Sequence, residues 1–264
     1  MRRLLVLLAL CTGGMAGAQA LPSVTEVQKL PLLHDPDAPV AKQVFTDPER
    51  NLISGVARAV NARREFQAFL AKHGAGPIKS NHVLLSFVAP FRSAVAERLT
   101  VFPVFSGDAA WLVSAFGEGN RMQVYASAGS GGPFCAWTQA YTVKDLNADG
   151  RREVTVVQAC ADGPGGASTL HVYGAGTGGF QFWGSAELTS HFGGDNRWSM
   201  RSSRLFVRKG RAFELYAVRR LEEGFYQGGY GRENLRLTEE GVAVVRVRLR
   251  VSPEARQFSL ARLF

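Results

Sequence analysis

Cysteine is scarce. The 264 residues contain three, Cys11, Cys135 and Cys160, and no Cys-x-x-Cys pair, which excludes zinc ribbons and dithiol redox centres of that spacing. The five histidines (His34, His73, His82, His171 and His191) include no pair at the helical spacing of a zinc site. The chain has no Gly-x-Ser-x-Gly elbow and no glycine-rich phosphate loop ending in Lys-Ser/Thr, so two common routes to hydrolase and nucleotide chemistry are missing. After residue 20 no apolar run approaches the roughly 20 residues that a membrane-spanning helix needs. Catalytic acid pairs of the glycosidase kind are matched only in space, so a hydrolase acting on an envelope polymer stays open as an alternative.

The first twenty residues have the make-up of an export signal. Arg2 and Arg3 precede the apolar stretch Leu4 to Leu10, and small residues at Ala16-Gly17-Ala18 or Ala18-Gln19-Ala20 offer a cleavage site. The bulky Leu8-Ala9-Leu10 before Cys11 argues against lipid attachment there. The expectation is an exported protein, periplasmic or secreted, without a transmembrane segment. Hydrophobic residues make up 46% of the chain and aromatics 10%, enough for a packed core. The net charge of +9 is uneven: residues 197–264 carry 15 Lys/Arg against 7 Asp/Glu, whereas residues 21–196 are close to neutral.

Residues 21–46, with Pro22, Pro31, Pro36 and Pro39 and little periodicity, read as an extended strap. Residues 47–73 read as one amphipathic α-helix. Asp47 caps it, Pro48 takes its first position, and Leu52, Ile53, Val56, Val60, Phe66, Phe69 and Leu70 form its apolar stripe. Gly74 and Pro77 end it. This strap and helix (21–80) precede a β domain (81–264) of short apolar runs separated by turns such as Gly117-Glu118-Gly119-Asn120. The fold class is mainly β: antiparallel sheets in a small or degenerate propeller-like array, or a curled sheet or sandwich. In the last long run Val245, Val247, Leu249 and Val251 alternate with Arg246, Arg248 and Arg250, giving one core face and one basic face. Those three arginines are candidates for binding a polyanion, although a nucleic-acid partner is not expected.

The clearest chemical signal is Asp145-Leu146-Asn147-Ala148-Asp149-Gly150-Arg151-Arg152-Glu153. Oxygen-bearing side chains fall at positions 1, 3, 5 and 9, and a glycine at 6 supplies the sharp bend. Asp145, Asn147, Asp149, the Arg151 carbonyl and Glu153 are the expected ligands of one calcium ion. An EF-hand is excluded, because position 12 is Val156 and the flanks, Phe134–Val143 and Glu153–Ala161, are strand-like. The segment from Tyr141 to Val157 resembles the calcium-loop hairpin of FG-GAP and VCBS-type repeats. The turn Asp162-Gly163-Pro164-Gly165-Gly166, the strand Leu170-His171-Val172-Tyr173 and the run from Gly174 to Phe180 continue the likeness over residues 134–184. The resemblance implies a blade-like unit of an integrin-type β-propeller acting in extracellular recognition or envelope structure. Its partner would be an extracellular protein or envelope polymer. The chain holds one such loop and lacks the length for seven blades.

Pairing the strands symmetrically about that loop sets 143 against 152 and 141 against 154, and brings Cys135 opposite Cys160. Directly opposed residues of an antiparallel pair are close enough for a disulfide. The same register places Trp137, Tyr141, Val143, Val154 and Val156 on the cysteine face. The hairpin 134–161 is therefore expected to be bridged at its base and to bind calcium at its tip, in a module more suited to recognition than to catalysis.

Overall fold

A computed structural model describes residues 20–38, 43–106, 109–129, 134–142, 145–162, 165–176, 179–194, 196–209, 213–228, 234–249 and 261–262. The export signal up to residue 19, Val143 and Arg250 lie outside the described residues.

Among the described residues three α-helices come before the smaller sheet: α1 (Val24–Val27), α2 (Asp47–Asn61) and α3 (Arg64–Lys72). The single helix expected over 47–73 is thus two. Asn61 turns its side chain to the Ile78 backbone, donating to the carbonyl at 2.9 Å and accepting from the N–H at 3.0 Å. The chain breaks at Ala62–Arg63 to allow it. The cap of α2 also differs from expectation: Thr46, not Asp47, stands before the first turn, and the Glu49 carboxylate accepts from its N–H and its hydroxyl, both at 2.8 Å. Because Asn61 holds two backbone groups at once, Asn61→Ala should lower stability by about 1–3 kcal/mol. A melting curve indistinguishable from wild type would remove this account of the helix break.

The smaller sheet is a five-stranded antiparallel set. It comprises β2 (Leu85–Ala89), β3 (Glu97–Phe105), β4 (Ala110–Phe116), β5 (Gln123–Ala128) and the late strand β13 (Ala261–Arg262), in the order β13-β5-β4-β3-β2. Its central strand β4 is buried throughout, which explains why Ala110-Trp111-Leu112-Val113-Ser114-Ala115-Phe116 reads as a nearly continuous apolar run. One face packs under the helices, with Phe102, Val104, Trp111, Val113 and Val124 against Ile53, Val56, Val60, Phe66 and Leu70. The stripe expected for the amphipathic helix is therefore spent on the domain that follows.

The larger sheet is an antiparallel meander of β6 (Cys135–Thr142), β7 (Val154–Asp162), β8 (Gly165–Gly176), β9 (Gly179–Gly194), β10 (Arg197–Arg208), β11 (Glu214–Tyr226) and β12 (Leu235–Val247). Trp137, Val154, Val156, Tyr173 and Phe180 pack against Leu99, Val101, Leu112 and Phe116 of the smaller sheet. A separate interior gathers Val157, Leu170, Val172, Ala186, Leu188, Leu205, Val207, Leu215 and Ala217 from five successive strands. So many strands share one core only if the sheet curls around it. The architecture is thus the curled sheet packed as a sandwich, not a ring of four-stranded blades.

Between β9 and β10 the ladder opens. Pairing runs from Arg197 to Ser202 of β10, and beyond it Leu205 and Phe206 are met by β1 (Leu32–His34). The strap therefore contributes a strand instead of lying loosely on the surface, and His34 hydrogen-bonds through Nδ1 to the Tyr141 hydroxyl. The acids beside it, Asp35 and Asp37, form ion pairs with Arg204. Among the described residues, no helix is long and apolar enough to cross a membrane.

Candidate metal site

The loop joins β6 to β7, and the base of this hairpin is bridged as expected: Cys135 and Cys160 are opposite each other, with Cα atoms 4.0 Å apart and a disulfide between them. Nearer the tip the register differs by one residue. Thr142 faces Val154 and Tyr141 faces Thr155, because a bulge intervenes between Trp137 and Gln139. The bulge turns the strand over. Trp137 and Ala140 face the smaller sheet, but Tyr141, expected on the cysteine face, packs with the interior of the curled sheet.

Within the loop the acidic side chains fold back on the chain. Asp145 accepts from the N–H groups of Asp149 (3.1 Å) and Gly150 (2.7 Å), and Asn147 Oδ1 also accepts from Asp149 (3.2 Å). Asp149 Oδ1 accepts from Arg151 N–H at 2.9 Å. Gly150 has φ of +81°, the left-handed region that favours glycine and makes position 6 of the loop selective. These bonds tie the chain into a series of Asx turns. They account for Asp145, Asn147 and Asp149 without a metal.

They do not account for Glu153. This residue is fully buried. Its Oε2 accepts from Leu146 N–H at 2.6 Å, while its Oε1 is buried and has no hydrogen-bond partner among the described residues. A buried carboxylate oxygen without a donor is costly. The cost appears as a carboxyl pushed up to about 7, first by burial and then by the negative charges of Asp145 and Asp149. Burial also opposes ionisation of Asp149, but hydrogen bonds from Arg151 and Asn147 outweigh it and hold that carboxyl below its usual value.

One oxygen each of Asp145, Asp149 and Glu153 lie within 4.8 Å of one another. Calcium–oxygen bonds of about 2.3–2.6 Å allow ligands of one ion to be up to about 5 Å apart, so these three carboxylates fit a single cation. Asn147 stands beside them, its amide donating to Asp149 Oδ2 at 3.1 Å. Arg151 is placed differently from a carbonyl ligand alone: its guanidinium lies 2.9 Å from Asp149 Oδ2, where it neutralises part of the charge that a cation would meet. Of the proposed anion-binding arginines, Arg246 lies over the Tyr216 ring at 5.8 Å and 3.8 Å from Glu214, and Arg248 is exposed. Arg246 and Arg248 thus differ in their surroundings.

The loop is anchored by residues that the ligand spacing does not single out. Leu146 is buried in the curled-sheet interior. Arg152 N–H donates to the Pro90 carbonyl at 2.7 Å, and the Arg151 guanidinium to the Arg92 carbonyl at 3.2 Å. Leu146, the one large apolar residue in the loop, is the available signal for the first anchor; nothing local indicates the others. Compared with family models, curated proteins and solved structures, the chain matches none.

Proposed function

We propose that this chain is an exported, non-catalytic β-rich module whose hairpin 134–161 holds one calcium ion, and that it serves recognition or structure in the extracellular space or envelope. The observation that carries the metal reading is the buried, unpartnered Oε1 of Glu153 beside Asp145 and Asp149. Asx turns alone leave that oxygen unexplained. Asp145, Asp149 and Glu153 would hold the ion with their carboxylates, aided by Asn147. The resemblance of residues 134–184 to an FG-GAP or VCBS-type unit supports the same reading. The ion's task there is to pin a hairpin that already joins two sheets. Export rests on the basic and apolar start of the sequence and agrees with a disulfide, a bond that persists in oxidising compartments.

The experiment is a melting curve of the oxidised protein in calcium and in chelator, beside Asp149→Ala. Calcium at 100 times its dissociation constant adds about 2.7 kcal/mol, roughly 5–10 °C for a protein of this size. The variant should show no such gain. Equal melting of the wild type in both solutions would end the calcium reading.

A further inference from the structure

A cavity of about 740 Å³ opens across the larger sheet, lined by residues of β8, β9, β10, β11 and β12. Its charged lining residues are Arg201, Arg219, Arg246, Arg248 and Glu187; the Arg246 guanidinium is turned to the other face of the sheet, over Tyr216 and 3.8 Å from Glu214, which leaves Arg201 and Arg219 beside Glu187. Two of the arginines stand where the curled interior gives way to solvent. On β11 the side chains of Leu215 and Ala217 are buried in that interior, and Arg219 is the next residue on their face. On β10, Val207 and Leu205 are likewise interior, and Arg201 follows two steps beyond Leu205 on the same alternation.

These charges are loosely engaged. Arg201 is 3.6 Å from Glu187, and Arg219 Nε reaches the Ser203 hydroxyl at 3.4 Å. A concave site with an excess of one sign of charge focuses the field on an incoming ion. The planar guanidinium fork matches phosphate oxygens in pairs. Thr169 and Ser185 add hydroxyls to the lining, and Ala186, Val245 and Val247 add apolar surface. The volume is that of a small-ligand site.

We propose that this cavity binds a small organic ligand carrying two or more adjoining phosphate charges, with Arg201 and Arg219 as its principal contacts. The site is separate from the hairpin loop and does not depend on calcium. It replaces a diffuse basic strand by a bounded pocket to which β9, β10 and β11 bring Glu187, Arg201 and Arg219.

The test is a calorimetric titration of the purified protein with inorganic pyrophosphate at low salt, with the melting temperature of each variant read alongside. Wild type should bind one equivalent. Arg219→Gln should weaken binding roughly tenfold, as expected for a lost charged hydrogen bond, and Arg201→Gln with Arg219→Gln should abolish it. Glu187→Gln should tighten binding about threefold by removing a like charge, a gain that misfolding cannot imitate. Arg58→Gln, on the exposed face of α2, should change nothing. Absence of binding to wild type, undiminished binding by the double variant, or an equal loss in Arg58→Gln would each overturn the proposal.

Discussion

Reduction of the Cys135–Cys160 bridge, or Cys160→Ser with Cys135→Ser, should lower the melting temperature by roughly 7–14 °C. The bridge joins residues 25 apart in sequence. Closing a loop of that length removes about 3.5 kcal/mol of conformational freedom from the unfolded chain in the chain-entropy account. At about 2–4 °C per kcal/mol for a protein of this size, the shift follows. The native state adds little cost of its own, since the two cysteines already oppose each other in the β6–β7 ladder. A shift below about 2 °C would mean that the ladder and its bulge hold the hairpin closed in the unfolded ensemble as well.

In chelator, stability should fall as pH rises from about 4.5 to above 7, by roughly 3 kcal/mol at about 1.4 kcal/mol per pH unit. The sign comes from Glu153. Its folded carboxyl sits near 7, above the ordinary value of 4.5, so the folded protein holds this proton more tightly than the unfolded chain does. The contribution is complete below the unfolded value and is lost as pH passes the folded one. Saturating calcium should flatten the fall, because a cation favours the ionised carboxylate. Glu153→Gln keeps a carbonyl oxygen for Leu146 N–H and removes the titration. A wild-type profile in chelator that parallels that of Glu153→Gln across this window would show that Glu153 does not titrate as its burial requires.

What was legible in the sequence was what local chemistry controls. The alternation of apolar residues located most strands, and the Asp145–Glu153 spacing located the loop. The opposition of Cys135 to Cys160 followed from hairpin symmetry. The helix break at Ala62 depends on Asn61 meeting Ile78, sixteen residues beyond the break, and no local propensity reports it. The bulge near Thr138 moved Tyr141 to the other face because one inserted residue reverses every side chain after it. The strap hid β1, since three residues gain a strand's hydrogen bonds only where β9 has left the edge of β10. Several strands extend past their apolar runs for a related reason. The outer part of β10 is Arg197-Trp198-Ser199-Met200-Arg201-Ser202-Ser203, a polar stretch held by its neighbours' ladders more than by its own hydrophobic pattern.

The contacts from Arg151 and Arg152 to the carbonyls of Arg92 and Pro90 bear on how portable the hairpin is. A segment cut at residues 134 and 161 would carry every acidic side chain of the loop and the disulfide that closes it. It would leave behind the pocket for Leu146 and both acceptors on the β2–β3 connection. The loop's shape is thus shared property of two sheets, and grafting the nine-residue motif onto an unrelated hairpin would transfer the letters without the geometry. By the same reasoning, an insertion between Pro90 and Arg92 would act on the loop as directly as a change within it, although some sixty residues of chain separate them.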